Sequence, residues 1–326
     1  MLGARKKQAS KRAGHRELGV FFALLLLIFF FSITSPFFFK LNNLINIVRQ
    51  ISLLGIIAMG MTMVIVSGEI DLSVGAIYGA AAIVSGMVLT HGGSVFLAVV
   101  AALATGIFFG VLNGILTTYG RIPALIVTLG MMNIARGAAL VLCNARVISL
   151  SKRTVESSGL GAFLFLGQGK VFHIPVVSII FIIVVIIANF LYSKTLLGFR
   201  LRAVGGNKLA AKAAGLNQNL IKIAAFGITG LLCALAGILN LSFLANVQGT
   251  TGTGLEMDVI SAVIIGGTSL SGGEGTIIGT LIGVLIMGVL KNGIILLGVS
   301  PFFQMLIIGI VIIVAVGIDM WSRKAQ

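Results

Sequence analysis

Apolar runs long enough to cross a bilayer recur along almost the whole chain, separated by short polar breaks. By length they fall at roughly 18–35, 47–66, 73–90, 94–118, 122–143, 174–192, 222–245, 258–270, 275–297 and 302–321. Runs such as IPVVSIIFIIVVIIANFLY do not alternate, so the dyad pattern of about ten residues that marks a membrane β-barrel strand is missing. The predicted fold class is an all-α integral membrane protein with about ten transmembrane helices, one or two of them short or broken. The run at 258–270 is too short to cross alone and is predicted to be such a broken helix.

Composition supports the pattern. Of 326 residues, 58% are hydrophobic and only 10% charged, with mean hydropathy +1.15; a soluble domain carries about 25% charged residues. Glycine is abundant at 43 residues against 4 prolines. It sits inside apolar runs without a Gly-X-Y period, which suits tightly packed transmembrane helices.

The net charge of +15 would suit nucleic-acid binding, but the basic residues gather at the ends of apolar runs, as the positive-inside rule expects. The amino-terminal arm holds Arg5, Lys6, Lys7, Lys11, Arg12 and Arg16 against Glu17. The segment YSKTLLGFRLRAVGGNKLAAKAAGLNQNLIK holds Lys194, Arg200, Arg202, Lys208, Lys212 and Lys222 and no acid, and the tail adds Arg323 and Lys324. Ten crossings from a cytoplasmic start put all three groups, and both termini, on the cytoplasmic side. The loop at about 144–173, with Arg146, Lys152, Arg153 and Lys170, falls outside on this count, where longer translocated loops obey the rule weakly. The basic start and first apolar run read as a retained anchor, since no clear A-x-A site follows. Residues 1–17 are therefore a cytoplasmic arm, 18–321 one transmembrane domain, and 322–326 a tail.

Candidate chemistry is sparse. Cys143 and Cys233 lie in separate apolar runs without a CxxC, and His91 and His173 have no metal-ligand neighbour at suitable spacing. Eight acids, three scattered histidines and two cysteines form no catalytic constellation, which speaks against a membrane enzyme. No G-x-x-x-x-G-K-[ST] occurs. SLSGGEG superficially resembles an ATP-cassette signature, but between MDVISAVIIGGT and a membrane run it reads as a Gly-rich break between helices.

The basic segment at 194–222 is built for docking. Asn207 is predicted to cap a short helix and Gly215 to end it, leaving an alanine-rich surface with a few cations. SGEIDLSVGAIYGAAAIVSGMV and GGTSLSGGEGTIIGTLIGVLIM share a polar Gly-rich break followed by a small-residue helix. The crossing count puts both breaks on one face, unlike an inverted repeat sharing this feature.

Three stretches in order, SGEIDLSVG, LGFRLRAVGGNKLAAKAAG and AVIIGGTSLSGGEGTIIGTLIGVLIMGVLKNGIILLGVSPFFQ, make the chain resemble permease subunits of bacterial ABC importers for monosaccharides, the ribose-type branch above all. The resemblance runs from about residue 40 to 318. It implies a multi-pass protein of the bacterial cytoplasmic (inner) membrane, paired with a second permease copy or close paralogue. It implies a separate ATP-binding subunit, which would carry ATP and Mg, and a periplasmic or extracellular sugar-binding protein; the chain itself would bind no cofactor and no metal. Gly205, Gly206, Asn207, Ala210, Ala211 and Gly215 fall, by that resemblance, in the loop that transmits ATP-driven motion.

Polar residues near the spans are the pathway candidates. Glu69 and Asp71 have three readings: caps on a helix starting near Ser73, where negative charge is favoured; contacts to sugar hydroxyls in a water-filled vestibule; or a proton-relay pair. The crossing count places this break near the inner face, where water reaches and the cost of burial falls. On the other side, Gln248, Thr250, Thr251, Thr253, Glu256 and Asp258 form a second polar island, with the two acids placed to begin the next helix. Asn113, Asn133 and Asn292 suit either sugar contact or interhelical hydrogen bonding, and Arg136 and Lys291 either snorkelling or a salt bridge to an acid. The rival to an ATP-driven importer is an ion- or proton-coupled secondary sugar carrier, in which Glu69 and Asp71 would do the coupling.

Overall fold

The computed structural model describes residues 2–151 and 159–300 together with isolated positions between 303 and 317, and side chains from Leu18 onward. The helices are α1 (Leu2–Thr34), α2 (Leu41–Val66), α3 (Val74–Thr90), α4 (Val95–Thr118), α5 (Ala124–Leu142), α6 (Leu160–Gln168), α7 (Val176–Lys194), α8 (Leu196–Gly206), α9 (Lys208–Ala213), α10 (Gln218–Leu244), α11 (Leu255–Ile265) and α12 (Ile277–Leu296). Two small antiparallel pairs complete the fold. β1 (Ile148–Ser149) pairs with β4 (Asn246–Val247), and β2 (Lys170–Val171) with β3 (Ile174–Pro175).

Six helices, α2, α4, α5, α7, α10 and α12, are long and apolar enough to span a membrane, and Leu18–Thr34 and Val74–Thr90 are shorter apolar helices. These eight coincide with eight of the expected runs. The ninth, at 258–270, is α11, which stops at Ile265 as a broken helix. The run at 302–321, the residues 152–158 with Lys152 and Arg153, and the tail with Arg323 and Lys324 lie largely or wholly outside the described residues.

The bundle has two distinct ends. α8 and α9 lie at one, beside the last residues of α2 and the first of α10; the β1–β4 pair lies at the other. α2 and α10 run antiparallel through the centre, in contact at Gly60 and Thr229. α4 runs antiparallel to α10, so close that Gly106 and Gly230 each lie against the other's carbonyl oxygen; a side chain at either would force the backbones apart. α12 flanks α2 likewise, with Thr62 and Thr280 hydroxyls 2.7 Å apart and Gly288 on Ile51. The chain therefore lays out one arrangement twice in opposite directions: α2, break, α3, α4, and then α10, break, α11, α12. The breaks of this repeat are 67–73 and 245–254. The similarity noted in the sequence instead joined 67–73 to the break at 266–276, which follows α11 rather than preceding it.

Candidate functional site

The first cluster sits at the α8–α9 end. After α2 ends, the Val66 carbonyl accepts a hydrogen bond from the Gly273 amide, at 2.8 Å. Gly205 packs against the same carbonyl; a Cβ on Gly273 would come within 2.6 Å of the Gly206 Cα, and one on Gly272 within 2.9 Å of the Gly68 Cα. Backbones from three separate parts of the chain meet there without side chains between them, which only glycine permits. The breaks at 67–73 and 266–276 thus share one end of the bundle, as the crossing count required, and both touch the segment at 194–222.

That segment folds as two helices. α8 was not anticipated; its eleven residues carry too weak an apolar face to stand out. Asn207 caps α9 by accepting from the Ala210 amide at 2.9 Å, and Gly215 beyond it has φ +75°, so the helix starts and stops where the sequence placed it. Ala210 is exposed while Ala211 is buried against the bundle. Leu209 stands 82% exposed at the tip. Arg202 donates to the Tyr192 carbonyl at 2.8 Å with its guanidinium over the Tyr192 ring, and the Tyr192 hydroxyl donates to the Gly275 carbonyl at 2.7 Å. α7, α8 and the second break are thereby tied together.

Glu69 and Asp71 part company. Glu69 forms an ion pair with the nearly buried Lys222 of α10 and lies 3.7 Å from the exposed Lys208 of α9. Both lysines were visible in the sequence, but their convergence on one acid was not. Asp71 is fully buried, so water does not reach it and the expected relief from burial belongs to Glu69 alone. The Asp71 carboxylate accepts from the Ser73 amide at 2.8 Å and the Ser73 hydroxyl at 2.6 Å, and Asn113 of α4 donates to the same hydroxyl at 2.8 Å. This is a capping turn at the start of α3, with Asn113 as interhelical glue.

The second cluster lies deeper. Residues 246–254 run down beside α3, so that the carbonyls of Thr251 and Gly252 rest on Gly79 and Gly75. Arg136 of α5 holds them there, donating to the Thr251 carbonyl at 2.7 Å and the Gly249 carbonyl at 3.4 Å. Gln248 is exposed, and its amide donates to the Thr251 hydroxyl at 3.1 Å. Glu256 begins α11, as expected, and accepts from the Gly254 amide at 3.2 Å. Lys291 pairs with Asp258, the salt bridge foreseen as one of its two readings. Asn292 and Asn43 exchange two hydrogen bonds at 2.8 and 3.0 Å, while Asn133 is exposed and donates only within its own helix. Cys143 and Cys233 are free and buried, and the described residues contain no group of three or more metal-ligating side chains.

Comparison with known proteins decides what kind of molecule this is. Residues 43–316 match the family described as branched-chain amino acid transport system / permease component. The chain belongs to this permease family. It is 42% identical over 297 residues to the ribose import permease protein of Escherichia coli (strain K12), covering 91% of each chain. It is 42% identical over 308 residues to that of Bacillus subtilis (strain 168), covering 93% of this chain and 92% of the other. An L-arabinose ABC transporter permease of Azospirillum brasilense is 37% identical over 308 residues, 94% of this chain and 88% of that one. The permease is thus a membrane-spanning transport component of an ABC importer rather than an enzyme, and such a component works with ATP-binding and substrate-binding partners. Its glycine junction and capped α9 are features of the permease's own backbone, and α9 is exposed except at Ala211.

Proposed function

We propose that this chain is the permease subunit for ATP-driven import of a small sugar of the ribose type. It passes on substrate delivered by a binding protein across the bacterial cytoplasmic membrane. Its arm and tail lie on the cytoplasmic side with α8 and α9. The sugar assignment is supported by relatives at 42% identity over nine-tenths of the chain, whose names specify ribose. ATP and Mg bind a separate subunit that docks on α9, where Leu209 is exposed beside Ala210 and Lys212. One observation carries this reading: the residues leading into α9, Gly205 and Gly206, abut the backbones of both breaks. A push on α9 therefore reaches the break that leads into α3 and the break that follows α11.

A second permease copy covers the face of α5 that carries Gly130, Asn133 and Ile134. Asn133 exposes its amide there, a costly arrangement against lipid that a protein neighbour relieves. Gln248 and Thr251, near the opposite end, line the entrance, and Glu69, Asp71, Ser73 and Asn113 form the gate around the first break. An ion-coupled carrier is less well supported, because Glu69 is held by Lys222 and Asp71 is committed to the start of α3.

The test is uptake of radiolabelled ribose, and of other pentoses and hexoses, into proteoliposomes holding the permease, its ATPase and its binding protein. Uptake is expected to need ATP and both partners, and Gly206→Pro is expected to leave ATP hydrolysis running without transport. Uptake driven by an ion gradient alone, or no uptake of any monosaccharide by the complete complex, overturns the reading.

A further inference from the structure

A pocket at the β1–β4 end stands apart from both clusters. It has a volume of about 200 Å³ and is lined by Asn46, Arg49, Gln50 and Leu53 of α2, Val177 of α7, and Asn240, Phe243 and Leu244 of α10. The spacing explains the convergence, since residues three, four and seven apart lie on one helix face. The polar residues begin about one turn into α2, and Asn240 lies one turn before the end of α10. For a span of 26 residues, such as α2, that depth corresponds to the level where lipid headgroups meet acyl chains.

The pocket is chemically unfinished. Arg49 lies over the Phe243 ring, 5.0 Å from its centroid, and its buried Nε has no hydrogen-bond partner. Among the described residues no carboxylate pairs with it: Glu69 and Asp258 have their lysines, Asp71 has Ser73, Glu256 sits at the start of α11, and Glu274 lies in the break at the opposite end of the bundle. Asn240 is more than nine-tenths buried, and neither its side chain nor that of Asn46 or Gln50 hydrogen-bonds to a described residue. A cation at this depth calls for an anion, and the buried Asn240 amide calls for a partner, while Asn46 and Gln50 are exposed at the rim. A neutral sugar would satisfy the amides and leave the guanidinium uncompensated.

We propose that this pocket binds the headgroup of an anionic phospholipid, phosphatidylglycerol in particular. The phosphodiester accepts from Arg49, the three carboxamides exchange hydrogen bonds with the glycerol hydroxyls, and the acyl chains leave over Leu53, Val177 and Leu244. Arg suits phosphate through its planar array of donors.

The test is thermal unfolding of the purified full-length chain in delipidating detergent, titrated separately with dioleoylphosphatidylglycerol, dioleoylphosphatidylcholine, inorganic phosphate and ribose. A ligand that binds only the folded state raises the melting temperature with its concentration. Phosphatidylglycerol is expected to do so and phosphatidylcholine much less. Arg49→Gln is expected to weaken the phosphatidylglycerol response by roughly tenfold or more, the loss of a charged hydrogen bond. Asn240→Leu, which removes one amide from an apolar stretch of α10, reads the same site should Arg49→Gln fail to fold. An unchanged response in the folded variants overturns the proposal. So does a full response to inorganic phosphate alone, which would make the ligand a soluble anion. An Arg49-dependent response to ribose would turn the pocket into a sugar subsite and equally overturn it.

Discussion

α3 and α11 begin in the same part of the bundle, run away from each other, and solve one problem in two ways. Each starts after a non-helical break and has a carboxylate at its amino-terminal end, Asp71 just ahead of α3 and Glu256 in the first turn of α11, where the helix dipole favours negative charge. For α3 the solution is local: Asp71 accepts from the Ser73 amide and hydroxyl two residues away. For α11 it spans the bundle. Glu256 accepts from Gly254, the preceding carbonyls of Gly249 and Thr251 hang on Arg136 from α5, and Glu256 lies close enough to Arg136 to feel its charge. A turn closed within three residues starts one helix with only one hydrogen bond from a neighbour, that of Asn113 in α4. The other starts only where a distant helix holds it, so its geometry answers to movement of α5.

The two starts touch at Gly75, where an added Cβ would strike the Gly252 carbonyl and approach Glu256 Oε2 to 2.5 Å. Gly75→Val is therefore expected to damage both at once, costing about 3 kcal/mol through backbone overlap that no rotamer change relieves. Thermal unfolding in detergent checks this, and a melting temperature near wild type would mean the helices are not in contact there. Arg136→Gln separates the two: a loss of about 2 kcal/mol from charged hydrogen bonds should appear as faster hydrogen exchange at 248–256 and not at 69–77. Equal exchange in both segments would show that α11 has a local solution as well. The smallest effect is expected from Asp71→Asn, about 1 kcal/mol or less, because an amide oxygen still accepts from Ser73; Asp71→Ala should cost more and confine its exchange change to the start of α3. A large loss in Asp71→Asn would show that charge, not hydrogen bonding, is what this turn requires.

Most of the spans were legible because a bilayer imposes length and hydropathy on each crossing, and the apolar runs report both directly. The cap at Asn207 and the stop at Gly215 were legible for a related reason, since each is a local device written in adjacent residues. α6 escaped because LGAFLFLGQ is too short to register as a crossing, and the strands are two residues each. Contacts between distant segments escaped for a deeper reason. Val66, Gly205 and Gly273 meet through backbone atoms, and glycines that make room leave no complementary side chain to read. Charge gave only half its message: Glu69, Lys208 and Lys222 were each noticed, but nothing in their positions along the chain showed that they converge. Asn46, Arg49 and Gln50 near the start of α2 were a signal of the same kind. They mark one face of a helix, while the pocket needs α10 to close it.

The glycine junction has a mechanical consequence. Contacts made through long side chains have play in them, because rotamers can turn and absorb a displacement before the neighbour feels it. At Gly68, Gly205, Gly206, Gly272 and Gly273 the chain segments bear on one another through main-chain atoms, and close-packed backbone has no such slack. The joint works without backlash. A displacement of α8 by a fraction of an ångström must appear at the ends of both breaks at once, with nothing lost on the way.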